Sequence, residues 1–188
     1  MDGINMGTTQ IDFDDWHDRK TVKKGDIGEQ LVIDYLSNKG YVVYKSITQG
    51  AHPFDNLCAS RDKKRIFIAE VKTKEARKYY PDTGINIRSY NEYKFIQDKY
   101  KIKVYLFFVD ATNRKVYGNV MEMLEAETIE GKYTYPLRQN GIIFFPLSNM
   151  KLIAELTEEQ AETIRKYNTK NYDRMELSKS WELKVALS

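Results

Sequence analysis

The hydrophobic pattern of this chain switches between two periods. Over residues 25–39 apolar side chains recur every three to four positions, the spacing of an amphipathic helix. Gly40 follows directly and predicts a C-terminal cap. The period then falls to two, and residues 41–44, 54–60 and 65–73 predict strands. A turn at Gly50-Ala51-His52-Pro53 separates the first two, and a charged tip at Arg61-Asp62-Lys63-Lys64 separates the next two. Residues 74–87 contain Pro81 and Gly84 and are expected to form an irregular loop. Ser89, with Glu92 three residues on, predicts a boxed helix start and a helix to residue 100. Further strands are expected at 103–110 and 116–123, a β hairpin from 133–135 and 142–145, and a helix from Thr157 to residue 167.

That order predicts an α/β sandwich around a mixed central sheet. Residues 1–20 read as a polar lead-in with Trp16 as its aromatic anchor. Residues 21–125 are expected to form the core, and 126–188 a C-terminal β/α extension packed on it. The last twenty residues are polar and weakly patterned.

Composition narrows the classes. A length of 188 residues fits one domain, and 41% hydrophobic content is enough for a core. The longest apolar runs, 104–109 and 142–146, are strand-sized and far short of the roughly 20 residues of a membrane helix. No signal peptide or lipidation motif is visible. A lone Cys58 excludes an internal disulfide and a cysteine-based zinc site, and suits a reducing, cytoplasmic setting. Two histidines, His17 and His52, do not make a histidine metal centre. No glycine-rich phosphate loop is present. Net charge is only +3, but residues 61–103 carry thirteen Lys/Arg against six Asp/Glu. A basic segment of that kind suits either a polyanion partner or an ordinary solvated surface.

Four charged residues break the pattern. In the strand over 65–73, Ile66, Ile68, Glu70 and Lys72 share one face, while Phe67, Ala69 and Val71 share the other. A strand apolar on both faces is usually covered on both, so an acid and an amine at its end need a partner. Asp55 opens the preceding strand on the face of Leu57 and Ala59. On the first helix, at about 100° per residue from Ile27, Glu29 falls near 200°, between Leu36 and Ile33. Three carboxylates gathered at one sheet end would repel and hold protons, and a hard divalent cation relieves that. Each also has a plainer reading: a snorkelling Glu29, a turn residue Asp55, and an ion pair between Glu70 and Lys72.

The set Gly28-Glu29, Pro53-Phe54-Asp55 and, after fourteen intervening residues, Glu70-Val71-Lys72 resembles the PD-(D/E)XK nuclease superfamily. Within it, the chain looks most like Holliday-junction-resolvase-like and Mrr-like endonucleases. The likeness covers residues 22–112. One departure is Phe54, inserted between Pro53 and Asp55.

The resemblance implies a restriction-endonuclease-like αβββαβ core and a Mg²⁺-dependent DNA endonuclease, with Mn²⁺ able to substitute. It implies that Asp55 and Glu70 bind the metal with the Val71 carbonyl, that Glu29 supports it, and that Lys72 assists the attacking water. It further implies branched or structured DNA as substrate, a homodimer, and a role in recombination or repair in a bacterial or phage-infected cell. Restriction- or repair-type cleavage of duplex or single-stranded DNA, and an inactive DNA-binding module, are the alternatives on the same core. Lys74, Arg77, Lys78 and Arg88, mixed with Tyr79 and Tyr80, are expected to meet nucleic acid, with Gln97 a supporting polar residue.

Overall fold

The computed structural model describes residues 19–45, 53–62 and 64–168. Trp16, His17, His52 and most of the expected 50–53 turn lie outside the described residues. Helix α1 (Lys20–Asn38) starts five residues before its periodic stretch. It ends where Gly40, at φ +87°, adopts a conformation that β-carbon-bearing residues avoid. Strands β1 (Tyr41–Lys45), β2 (Asn56–Ser60) and β3 (Ile66–Lys72) then form an antiparallel meander.

The expected loop over 74–87 contains a strand, β4 (Asp82–Asn86). Its residues are poor strand formers, and pairing with a distant partner overrides their propensity. Helix α2 (Ile87–Tyr100) follows, then β5 (Lys103–Asp110) and β6 (Lys115–Val120). Asn86, not Ser89, occupies the cap position of α2, with no side-chain cap bond. Ser89 lies inside the helix, and Glu92 pairs with Arg88 at 3.2 Å. Residues 121–123, expected to end a strand, instead open a one-turn helix α3 (Met121–Leu124).

The expected hairpin of 133–135 with 142–145 does not form. Instead β7 (Thr128–Glu130) pairs with β8 (Tyr133–Tyr135), while β10 (Ile142–Pro146) pairs with β4 and with β9 (Leu137–Gln139). Strand β11 (Lys151–Glu155) and helix α4 (Glu158–Arg165) complete the described chain. Thr157 caps α4 through a reciprocal bond with Gln160.

The main sheet runs β1-β2-β3-β5-β6-β11. Among the described residues, only β3 and β5 pair in parallel, because α2 carries the chain back across the sheet between them. It is thus a mixed α/β fold, with an αβββαβ path on which β4 is added before α2. One face is covered by α1 and α4, whose Val32, Leu36, Ala161 and Ile164 meet Cys58, Phe67, Ala69 and Val71. Burial there pushes the Cys58 thiol up to about 12, so it behaves as core. The other face carries α2 and the β4–β10 pair, where Tyr93, Ile85, Ile143 and Phe145 meet Ile68, Leu106 and Phe108. No helix among the described residues is long and apolar enough to cross a membrane.

Candidate functional site

Strand alternation delivers Ile68 and Glu70 to the α2 face of the sheet, as the periodicity predicts. Ile68 joins the core, and Glu70, two residues on, is only 2% exposed. In register, Asn56 faces Ala69, so Asp55 sits opposite Glu70 just past the last paired residues of β2 and β3. The two acids interlock through the backbone. Asp55 N–H donates to Glu70 Oε2 at 3.1 Å, and Val71 N–H donates to Asp55 Oδ2 at 2.8 Å. Lys72, on the same face as Glu70, donates its Nζ to Glu70 Oε1.

Among the described residues, acid outnumbers base in this corner. Burial raises Asp55 most, the nearby Glu70 carboxylate adds to it, and together they push Asp55 up to about 7 despite the Lys72 ammonium. Burial works to discharge Lys72, but Glu70, Asp55 and Glu29 outweigh it and hold the amine above its usual range. Lys72 therefore stays charged at neutral pH.

Glu29 reaches the same corner from α1. Gly28 makes this possible, since a Cβ there would lie 1.9 Å from Thr73 Oγ1, just past the end of β3. Glu29 is largely covered, as its helix-wheel position predicts. It pairs with Lys45 of β1 at 3.2 Å and adds its charge to the field on Asp55 and Lys72. Three of the four expected residues are thus joined by hydrogen bonds, and the fourth acts through space. Among the described residues, no three or more His, Cys, Asp and Glu side chains group around one metal position. The acidic donors in the corner are the Asp55 and Glu70 carboxylates, interlocked through the backbone.

Tyr93 of α2 was not expected here. It is 4% exposed and donates its hydroxyl to Glu70 Oε1. Burial, then Glu70, holds the phenol above its usual range, so it remains a donor. An aromatic on the buried stripe of a helix looks like core, and only the partner across the gap reveals otherwise. Lys45 was missed as well, because a lysine ending a short edge strand has no distinguishing pattern.

The expected nucleic-acid contacts separate into two groups. Arg77 is committed to structure: Nε and a terminal NH2 meet both oxygens of Asp82 at 2.6 Å, and the guanidinium lies 3.8 Å from the Phe144 ring centroid. Lys74 is half-buried, bonds the Gly84 carbonyl at 3.1 Å, and burial lowers its pKa. Gln97 faces inward, with Oε1 buried and without a hydrogen-bond partner. Lys78, Tyr79 and Arg88 do face solvent, Tyr79 being 75% exposed with Lys78 Nζ 5.4 Å from its ring centroid. Tyr80 instead bonds the Tyr133 hydroxyl at 3.1 Å.

No family model matches this chain, and no curated protein matches it. Among solved structures it is similar to a Holliday junction resolvase from the archaeal hyperthermophile Archaeoglobus fulgidus. The identity is 14% and the TM-score 0.48, over 73% of this chain and 99% of the resolvase.

Proposed function

We propose that this chain is a Mg²⁺-dependent endonuclease that hydrolyses phosphodiester bonds in branched DNA. The observation that carries this is the interlocked Asp55–Glu70 pair, with Lys72 upon it, at the end of a strand covered on both faces. A buried corner with more acid than base invites a cation. Its donors are hard oxygens, two carboxylates and the Val71 carbonyl, and Mg²⁺ takes one or two carboxylates with water and substrate phosphate. The raised Asp55 fits the same role, since burial and the neighbouring Glu70 carboxylate hold a proton there that a bound cation would displace.

When bound, Mg²⁺ or Mn²⁺ supplies Lewis acidity at the phosphate and makes water more acidic. Asp55 and Glu70 hold that ion, and Val71 offers its carbonyl. Lys72 keeps its charge and presents it to the attacking water or to the phosphate oxygens, offsetting charge that builds in the transition state. Glu29 adds negative field from α1. Lys78, Tyr79 and Arg88 provide exposed cationic and aromatic surface for the DNA. The preference for junctions follows the motif likeness to resolvases, and paired symmetric cuts require a twofold dimer.

Purified protein is expected to cut a labelled four-way junction with Mg²⁺ and to stop on addition of EDTA. Full activity in Lys72→Ala or Asp55→Ala overturns the proposal. Linear, nicked and flapped duplexes run alongside test the junction preference, and sedimentation tests the dimer.

A further inference from the structure

A carboxylate offers about four lone-pair positions, two on each oxygen. At Glu70, three are taken. Lys72 Nζ and Tyr93 hydroxyl both donate to Oε1, and Asp55 N–H donates to Oε2. Among the described residues, Oε2 alone keeps a position open. The two donors on Oε1 differ in permanence. The Lys72 side chain is 34% exposed and is needed elsewhere in the proposed reaction. Tyr93 is locked in the α2 face of the core, packed with Ile68 and Leu106, and Ser89 one turn earlier is a further hydrogen-bond partner.

We infer that Tyr93 is a positioning residue that keeps Glu70 to a one-oxygen contact with the divalent cation and thereby favours small octahedral ions over Ca²⁺. Ca²⁺ accepts six to eight oxygens and readily takes both oxygens of one carboxylate, whereas Mg²⁺ demands compact octahedral geometry. An Oε1 that already accepts a fixed hydroxyl is a poor second ligand. This inference rests on Glu70 being a metal ligand, as proposed above. It adds a residue outside the motif and a selectivity that the motif does not specify.

The test uses full-length protein without DNA, so that cleavage is not the readout. Wild type and Tyr93→Phe are titrated with Mn²⁺ and with Ca²⁺ by calorimetry, and melting confirms the fold. Tyr93→Phe removes the hydroxyl and keeps the ring. Ca²⁺ affinity is expected to rise relative to Mn²⁺ by about tenfold, the scale of one hydrogen bond to a charged group. A folded Tyr93→Phe protein with an unchanged Ca²⁺-to-Mn²⁺ ratio overturns the inference while leaving the metal site standing. A wild type that binds neither ion overturns both. Should Tyr93→Phe not fold, infrared difference spectra of wild type and Glu70→Gln with and without Mn²⁺ isolate the Glu70 carboxylate bands. A wide splitting, as for a one-oxygen contact, supports the inference, and the narrow splitting of a chelating carboxylate overturns it.

Discussion

Two buried charged clusters lie on either side of the segment joining β3 to β4, and they are built oppositely. In one, Asp82 is fully buried, gives both oxygens to Arg77, and accepts a third bond from the Tyr135 hydroxyl at 2.6 Å. One acid meets one base in bidentate geometry, and aromatic rings close over them. In the other, Asp55 and Glu70 share Lys72, and Glu29, itself paired with Lys45, adds its negative field nearby. The first cluster is complete and holds β4 and β8 to the linking segment. The second holds more acid than base among the described residues, and burial, with the Glu70 carboxylate beside it, lifts its Asp55 to about 7. Burial alone does not mark a functional site; burial with an unbalanced charge does.

Substitutions separate the two. Lys72→Ala and Asp55→Ala are each expected to slow junction cleavage by about 10³-fold while circular dichroism stays native. Asp82→Ala should do the reverse, costing about 3–5 kcal/mol of stability by leaving Arg77 unpaired in a covered site. Urea denaturation in the absence of metal reads that loss. Equal losses of stability at both clusters would erase the contrast.

The pH dependence sharpens it. Folded Asp55 keeps its proton up to about 7, whereas the unfolded residue releases it near 3.8. Between those values the folded state binds the extra proton, so stability falls as pH rises. The fall is expected to be on the order of 3 kcal/mol across that window. Denaturation curves at stepped pH measure it, Asp55→Asn should flatten it, and Mg²⁺ should stabilise more at pH 8 than at pH 5. A smaller effect is expected from Gly28→Ala, about 1–3 kcal/mol, as the new methyl drives α1 off Thr73. Arg88→Ala, 90% exposed and paired only with Glu92 among its described contacts, should change stability by no more than about 0.5 kcal/mol.

Much of this was legible in the sequence, for a physical reason. Period-two alternation over Ile66–Lys72 fixes which side chains share a face, so the placement of Glu70 and Lys72 followed from local geometry. The helix wheel likewise placed Glu29 on the covered side of α1. Less legible was whatever depends on partners remote in sequence. Strand β4 contains Gly84, where a Cβ would fall 2.2 Å from the Ile143 carbonyl oxygen, so its strand character exists only against β10. Arg77 looked like a surface cation because its acid partner, Asp82, lay in what read as loop. Tyr93 carries no sequence signal, because its hydroxyl finds Glu70 only where the α2 crossover brings the two together. The 133–135 segment was assigned the wrong partner, since β-strand propensity does not specify pairing.

The Asp55–Glu70 lock also bears on the order in which the chain folds. The two residues lie 15 apart and their bonds close within the β2–β3 hairpin, whereas Tyr93 arrives from 23 residues downstream. Nearer contacts close with less loss of chain entropy. If the hairpin closes first, Asp55 and Glu70 meet before Tyr93 can donate to Glu70. Acid, or a divalent cation, is expected to quicken that early closure and to leave the later β3–β5 crossover at its own pace.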